Sequence, residues 1–362
     1  MKARILEHLS ALVACNTSDP PSTMHGDDPI IRYCRKLLAN EKFETSVEDL
    51  GSGQVYLFAS RGDPKMLLNC HLDTVAAAPG WTGDPFKLEI VKNQNKAFAL
   101  GACDIKGAAA CMLTALQSSD QDIAILFNTD EEAGYGLCIE HFLKTNSWKP
   151  NVVIVAEPTN GKAVLGHRGF VSAELIFSGV AAHTSMADSA IRSAAHDSVR
   201  FCASALELTE SAGPLSDTRF NIGVIEGGSD ANVVNSRTRV HFSFRPRPGQ
   251  NGEDLIDQLA GLALPESNIQ WREKYIAAPL VPCSTTKNLI QSAKIPSGDD
   301  VDFWTEAALF NAAGLPAFVL GPGDIAQAHQ PDEWVSLDQL ETVMNTYLRM
   351  INSDVLESTH AS

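Results

Sequence analysis

The chain has 362 residues, of which 44% are hydrophobic and 20% are charged, and its formal net charge is -16. This composition is typical of a globular protein, and the length predicts two domains. The negative charge argues against nucleic acid or an anionic membrane surface as the main partner. No apolar run approaches the ~20 residues that span a bilayer. The cysteines are scattered without a C-x-x-C pair, which indicates reduced thiols and predicts a cytoplasmic protein.

Helical and strand-like patterns alternate over residues 1–167. The N-terminal residues place apolar side chains on one helical face and lack the continuous apolar core of a signal peptide. A second helix is predicted over Ile30–Ala39. The runs MLLNC, IAILFN and VVIVA are typical of buried strands, and the Ala-rich run GAAACMLTALQ is typical of a buried helix. This alternation predicts an α/β layer structure.

The pattern changes over residues 168–278. Strand-like and helical segments follow one another there in the order β-α-β-β-α-β, which is typical of a ferredoxin-like unit. From residue 279 the pattern of helices and buried strands returns, and it ends in a helix predicted over Leu337–Ile351. The sequence therefore predicts a larger domain formed by residues 1–167 and 279–362, with a smaller domain, 168–278, inserted into it.

Catalytic-type side chains follow the predicted strands at the points where these strands end. In open α/β sheets, ligands bind beyond the carboxyl ends of the strands. Histidines and carboxylates that converge there can hold two divalent metal ions, and the chemistry expected of such a pair is metal-assisted hydrolysis. The strand-end residues are His71 and Asp73 after MLLNC, Asp130, Glu131 and Glu132 after IAILFN, Glu157 after VVIVA, and His329 in the loop after FVLGPG.

Each residue also has an ordinary structural interpretation. Asp104 precedes the Ala-rich helix and could be its N-cap. Thr129 and Glu132 have the spacing of a capping box. Glu157 and His329 could be solvated loop residues. Only their shared position at the strand ends favours a metal site.

Two local patterns suggest a division of roles. His71 and Asp73 are two residues apart, so their side chains share one face of a strand, and Asp73 can hold the imidazole N–H that faces away from a metal. Glu131 and Glu132 are adjacent and project in different directions. One could bind a metal while the other faces the attacking water as general base.

Eight segments resemble, in the same order over nearly the whole chain, a family of di-zinc deacylases and peptidases. The family includes acetylornithine and acetylcitrulline deacetylases, succinyl-diaminopimelate desuccinylases and carboxypeptidases of related fold. The resemblance implies a zinc-peptidase-like α/β/α catalytic domain with an inserted ferredoxin-like α+β domain that serves as lid and dimerisation domain. The segments are HLDTV, GACDIKGAAA, TDEEAG, VAEPT, AAHTS, FRPRPG, DFWTEA and GPGDIAQAHQPDEW, the last being most similar to the deacetylases.

The resemblance implies which residues bind each of two metal ions. Asp104 is expected to bridge two zinc ions. His71 and Glu157 would complete one site, and Glu132 and His329 the other. Imidazole and carboxylate ligands suit zinc, with cobalt or manganese as substitutes.

It also implies catalytic groups. Glu131 would be the general base for a hydroxide held between the metals, and Asp73 would orient His71. His183 would reach the active site of the partner subunit and donate to the oxyanion, although it could instead be a structural cap near Ser185.

Three further residues are expected to contact the substrate. Arg245 and Asn232 would bind its carboxylate or backbone, and a guanidinium can hold a carboxylate with two hydrogen bonds. Glu306 would face the substrate side chain or amine. A structural role within the lid is the alternative for Arg245 and Asn232.

The expected protein is a cytoplasmic homodimeric di-zinc amidohydrolase that acts on a small N-acylated amino acid. The first candidate substrate is N-alpha-acetyl-L-ornithine of arginine biosynthesis, and the second is N-acetyl-L-citrulline. A desuccinylase, a dipeptidase and a non-catalytic binding protein on the same fold are further alternatives. Nucleotide-dependent and serine-hydrolase chemistry lack support, because G-x-G-x-x-G after a strand, G-x-x-x-x-G-K-[ST] and G-x-S-x-G are absent.

Overall fold

The computed structural model describes residues 1–18, 23–132, 136–186, 191–263 and 268–353. No helix within these ranges is both long enough and apolar enough to cross a membrane. The helices are α1 (Lys2–Val13), α2 (Pro29–Asn40), α3 (Lys106–Leu116), α4 (Leu137–Thr145), α5 (Ala194–Glu210), α6 (Gly252–Ala260), α7 (Ser284–Ser292), α8 (Ala307–Ala312) and α9 (Leu337–Ile351). The strands are β1 (Glu44–Gly51), β2 (Gln54–Arg61), β3 (Met66–His71), β4 (Glu89–Val91), β5 (Lys96–Phe98), β6 (Ile123–Asn128), β7 (Val152–Val155), β8 (Phe170–Ser178), β9 (Ala182–His183), β10 (Asn221–Gly227), β11 (Val233–Val234), β12 (Arg237–Phe244), β13 (Asn268–Ala277), β14 (Ala317–Val319) and β15 (Trp334–Ser336).

The described residues form two compact units. The first unit contains those within Met1–Gly166, Pro282–Asp300 and Thr305–Ser362, and the second those within His167–Val281 and Val301–Trp304. Both units combine helices with sheets, so the predicted α/β class is confirmed. The short return segment Val301–Trp304 was not indicated by the sequence pattern.

A six-stranded sheet in the order β1-β2-β6-β3-β7-β14 organises the first unit. Strands β6, β3, β7 and β14 form a parallel group. Strand β2 pairs antiparallel with β6, and β1 pairs antiparallel with β2. Every residue of β3, β6 and β7 is buried, as expected for apolar runs that have both faces of the sheet covered. Since parallel strands end at the same edge, the residues that follow these strands meet there.

Helix α3 is buried along its whole length and packs against α1 and α9. Its alanines let the neighbouring helices approach closely. Gly107 in the first turn has a specific reason to be glycine, because a Cβ there would lie 2.3 Å from the carbonyl oxygen of Ala102. The loop before α3 therefore folds back tightly on the helix, and this loop carries Asp104.

The second unit contains a four-stranded antiparallel sheet in the order β10-β12-β8-β13. Helices α5 and α6 pack on one face of it, around a core that includes Phe177, Phe201 and Phe242. The principal elements follow the β-α-β-β-α-β order expected from the sequence. The short strands β9 and β11, which pair with each other, are additional to it.

Candidate metal centre

The first group of candidate ligands joins two strand ends to the loop before α3. His71 is the last residue of β3, Glu157 follows β7, and Asp104 comes from the loop. The His71 Nε2 atom lies 3.3 Å from Asp104 Oδ1 and 3.8 Å from Glu157 Oε1. All three side chains are buried, and their ligand atoms are close enough together to hold one metal ion.

The second group shares Asp104 with the first. His329 Nε2 lies 3.1 Å from Glu132 Oε2 and 3.5 Å from Asp104 Oδ2. The Asp104 carboxylate thus turns Oδ1 toward His71 and Oδ2 toward His329, which is the geometry of a carboxylate that bridges two cations. The His329 side chain is 50% exposed, so this second position is the more open one.

Unpaired buried atoms show that a cation fits the first position. His71 Nε2 and Asp104 Oδ1 are buried and have no hydrogen-bond partner, although buried polar atoms are nearly always paired. A divalent cation between them would satisfy both. Imidazole and carboxylate donors are ligands that zinc, cobalt and manganese accept.

A hydrogen bond at the far side of the ring determines how His71 presents its Nε2. The His71 Nδ1 atom lies 3.0 Å from the main-chain carbonyl oxygen of Asp73. Because a carbonyl only accepts, Nδ1 must donate, and the lone pair of the neutral ring is then on Nε2, toward Asp104 and Glu157.

The Asp73 carboxylate differs from the expectation in its contacts. It was expected to hold the imidazole, but its Oδ1 lies 3.4 Å from His71 Nδ1, and the hydrogen bond goes to the Asp73 main chain. Its Oδ2 instead accepts the backbone N–H of Glu132 at 2.9 Å. Asp73 therefore contacts both a candidate ligand and the turn that carries the two adjacent glutamates.

Neighbouring carboxylates raise the pKa of both imidazoles. Hydrogen bonds to Asp104 and Glu132 raise the pKa of His329 to about 10. Burial disfavours the charged form of His71, but Asp104 and Asp73 outweigh it and raise its pKa well above the usual value. Burial also opposes ionisation of Asp104, yet the two imidazoles hold the pKa of this carboxyl well below its ordinary value.

Glu131 and Glu157 experience the opposite shift. Burial, followed by the charges of Asp104 and Glu131, raises the pKa of Glu157 well above the ordinary value. Burial is also the main cause that raises the pKa of Glu131 to about 8, and the negative charges of Glu132 and Asp104 add to it. A carboxyl group with a pKa near neutrality is suited to exchange protons during a reaction.

Two of the structural alternatives are wrong. Asp104 is not the N-cap of α3, because Ile105 occupies that position without a side-chain cap. Thr129 does not form a capping box, because its Oγ1 accepts the backbone N–H of Val55 at 2.9 Å and donates to Gly53. Both residues are thus free of the helix-capping roles that the sequence allowed.

Glu306 is buried in the first unit, where it contacts an asparagine pair that sequence reasoning missed. Its Oε1 accepts a 2.6 Å hydrogen bond from Asn128, whose own Oδ1 accepts from Asn69 at 3.0 Å. Burial raises the pKa of Glu306 well above the ordinary value. Asn69 and Asn128 each interrupt an apolar strand near its end, and this polar interruption is the signal that could have identified them. A substrate contact for Glu306 stays a prediction.

Glu333 is a further buried residue to which the sequence analysis assigned no role. Its carboxylate accepts the backbone N–H groups of Gly101 (3.0 Å), Cys103 (2.7 Å) and Asp104 (3.0 Å). Burial raises the pKa of Glu333 to about 8, against the effect of these three donors. The contact joins segments more than 200 residues apart, so no local pattern could have revealed it.

His183 lies in the second unit, exposed on β9, which pairs with β11. Its Nδ1 faces the Ser185 backbone N–H at 3.2 Å and the Ser185 hydroxyl at 2.8 Å. Since a backbone N–H only donates, Nδ1 accepts, and the neutral ring carries its proton on Nε2. The expected role as a hydrogen-bond donor is compatible with this tautomer and stays a prediction.

Arg245 and Asn232 also lie in the second unit. The Arg245 guanidinium stands 4.8 Å from the ring centroid of Phe170, and burial lowers its pKa. Asn232 is exposed, and its main-chain carbonyl accepts the backbone N–H of Thr184 at 3.1 Å. Their substrate contacts stay predictions.

Metal binding to the metal-free protein should release protons. Zinc must displace the Nε2 proton of His329, whose pKa is about 10, together with the protons that the raised pKa values of His71 and Glu157 favour. At pH 8 we therefore expect at least one proton to be released per chain, and metal affinity should rise as the pH approaches 10. Calorimetry in buffers of different ionisation enthalpy measures this release. His329→Ala should release about one proton fewer, whereas His25→Ala, outside the centre, serves as the control. Equal release by wild type and His329→Ala would contradict the ligand assignment.

Comparison with known proteins agrees with the fold. Residues 67–353 match the model of the peptidase family M20/M25/M40. An N-acetyl-L-citrulline deacetylase of Xanthomonas campestris is 40% identical over 97% of this chain and 98% of that protein. An acetylornithine deacetylase of Vibrio atlanticus is 28% identical over 96% and 97%. The crystal structure of aminopeptidase PepT from Bacillus cereus has the same fold, with a TM-score of 0.78, 17% identity and 97% and 98% coverage. The chain belongs to peptidase family M20/M25/M40.

Proposed function

We propose that this protein is a di-metal amidohydrolase that removes the acetyl group from an Nα-acetylated amino acid. The observation that carries the proposal is the shared Asp104 carboxylate, whose two oxygens face two separate ligand groups. Family membership and the printed activities of the similar deacetylases support the same reaction class.

Zinc is the proposed metal, with two ions per chain. His71, Asp104 and Glu157 would hold one ion, and Asp104, Glu132 and His329 would hold the other. When bound, the ions would polarise the acyl carbonyl and lower the pKa of the attacking water. The buried unpaired atoms of His71 and Asp104 support this assignment.

Glu131 is the proposed general base. It takes a proton from the attacking water as the new C–O bond forms. It then gives this proton to the amide nitrogen as the C–N bond breaks, which leaves acetate and a free amine. The raised pKa of Glu131, about 8 in the metal-free protein, supports this role, and nearby cations would bring the value down toward neutrality.

The second unit supplies the remaining proposed groups. His183 donates its Nε2 proton to the oxyanion in the active site of a partner subunit, and Arg245 and Asn232 bind the substrate carboxylate or backbone. These roles make the second unit a lid and dimerisation domain. The tautomer of His183, with its proton on Nε2, supports its role as a donor.

N-acetyl-L-citrulline is the substrate best supported by the comparisons, because the 40% identity to a deacetylase of that compound extends over nearly both chains. N-alpha-acetyl-L-ornithine, which the sequence analysis placed first, is the second candidate, since acetylornithine deacetylases are also similar along nearly the whole chain. Both substrates present an acetamide and an α-carboxylate, and either places the enzyme in arginine biosynthesis. The free state of all eight cysteines supports a cytoplasmic location.

Glu131→Ala should lower kcat by roughly 10²- to 10⁴-fold, the usual contribution of a general base. Metal content, measured by atomic absorption on the same preparation, should remain that of wild type. Glu140→Ala, which removes an exposed acid paired with Lys144 on α4, is the matched control and should keep full turnover. Near-normal turnover of Glu131→Ala would exclude it as the base.

A substrate panel should separate the two deacetylase activities. We expect kcat/KM for acetylcitrulline to exceed that for acetylornithine, and a chelator to abolish both until zinc is restored. Release of the free amine, followed with an amine-reactive reagent, measures each rate. A preference for acetylornithine would keep the mechanism and change the substrate. Activity on neither would direct the search to succinylated diamino acids and dipeptides.

Mixing two inactive variants tests the proposed dimeric site. If His183 acts in the partner's active site, His183→Ala and Glu131→Ala chains mixed after separate purification should form heterodimers with one intact site. One of the two sites in each heterodimer would then be active. Heterodimers demonstrated by native mass spectrometry but devoid of activity would show that His183 does not act across subunits.

A further inference from the structure

Glu333 links the loop that carries His329 to the loop that carries Asp104. It lies four residues after His329 and is 2% exposed. Its Oε1 accepts the N–H groups of both Cys103 and Asp104, while its Oε2 accepts that of Gly101. Every oxygen of this carboxylate therefore contacts the main chain of the Asp104 loop.

These N–H groups need an acceptor for a specific reason. The loop is buried, and it ends where α3 begins at Lys106, so the donors of Cys103 and Asp104 precede the first turn and have no partner within the helix. Gly101 has a φ of +76°, a left-handed conformation that turns the chain back toward Glu333. One carboxylate satisfies all three donors, which fixes the direction in which the Asp104 side chain leaves the backbone.

The backbone of Glu333 is itself held in register. Trp334 in β15 pairs with Phe98 in β5, and the carbonyl of Glu333 accepts the N–H of Ala99 at 3.2 Å. The carboxylate is thus supported by a sheet immediately beside the loop that it binds. A positioning group needs this kind of support to determine the orientation of a ligand.

Lys106 occupies the other side of the same loop. Its buried Nζ donates to the carbonyl of Cys15 at 2.9 Å, and a Cβ at Gly101 would lie 3.1 Å from its Cδ. The loop is therefore enclosed between the lysine stem and the Glu333 carboxylate. It has little room to shift without breaking one of these contacts.

We propose that Glu333 is a positioning residue that holds Asp104 at the angle at which each of its oxygens serves a different metal ion. The inference rests on the proposed di-metal function. Because Asp104 belongs to both ligand groups, and because His329 lies on the same short loop as Glu333, loss of this contact should weaken both metal sites together. Partners of ligating groups typically change metal affinity by roughly 10- to 100-fold when they are replaced.

Glu333→Gln is the test, because glutamine keeps the shape but can accept through only one oxygen, and its amide would oppose one N–H of the loop. Asp332→Asn is the matched control: it makes the same chemical change one residue earlier, where the carboxylate accepts from Thr82 on a different loop. Metal-free proteins are titrated with Zn²⁺ by calorimetry and with Co²⁺ by visible absorption, which also reports ligand geometry. Chemical denaturation of the metal-free proteins monitors the fold.

We expect Glu333→Gln to bind both ions roughly 10- to 100-fold more weakly, with an altered Co²⁺ spectrum, while Asp332→Asn matches wild type. If wild type binds two ions and Glu333→Gln binds them with the same affinity and spectrum, the inference is overturned and the proposed function stands. If Glu333→Gln lowers the affinity for only one of the two ions, the inference that Glu333 supports both sites is overturned. A wild-type protein that binds fewer than two ions overturns the proposed function and this inference with it.

Discussion

Enclosure of negative charge at one edge of the six-stranded sheet is the constraint on which the first unit depends. Asp73, Asp104 and Glu157 are buried there, and Glu131 and Glu132 adjoin them. An ionised carboxylate withdrawn from water is costly unless an opposite charge or several donors accompany it. Such a group of acids therefore requires protons or cations among its members. The raised pKa values of Glu131 and Glu157 are the direct expression of that requirement.

The loops around this edge are stabilised by carboxylates that do not serve as candidate ligands. Asp73 accepts an N–H from the Glu132 turn, Asp130 accepts the N–H of Cys138 at the start of α4, and Glu333 accepts three from the Asp104 loop. The Asp104 loop and the turn of Glu132 are thus each tied by the main chain to a buried acid elsewhere in the sequence. Two of the candidate ligand acids, Asp104 and Glu132, are therefore positioned by other buried acids that accept backbone N–H groups.

The sequence predicted the parts of this arrangement that depend on local pattern. The apolar runs located β3, β6 and β7, and with them the positions of His71, Glu132 and Glu157 at one sheet edge. The helix predicted over Leu337–Ile351 coincides with α9. The sequence could not predict the three hydrogen bonds of Glu333, because they join distant segments. It also could not predict that His71 binds the main-chain carbonyl of Asp73 in place of its carboxylate. A backbone oxygen and a side-chain oxygen of one residue cannot be distinguished by spacing alone.

The family resemblance predicted site residues that local sequence patterns could not identify. Nothing local separates Asp104 from an ordinary N-cap, and only the structure shows that Ile105 has that position instead. His183 ends β9 and Arg245 follows β12, but these strand ends did not indicate a common site, because the strands of the second unit pair antiparallel. In such a sheet strand ends alternate between two edges, so side chains at successive ends do not converge.

The order of the candidate ligands along the chain has a consequence for biosynthesis. His71, Asp104, Glu132 and Glu157 all precede the second unit, whereas His329 and Glu333 follow it, and α9, which packs against α3, comes later still. A ribosome therefore releases the acid-rich edge of the sheet well before the residues that complete it. During that interval the nascent chain exposes several carboxylates with only one of their two histidines. Selective metal capture must consequently wait until His329 has left the exit tunnel, and a chain cut short before His329 would retain the acids without the second imidazole.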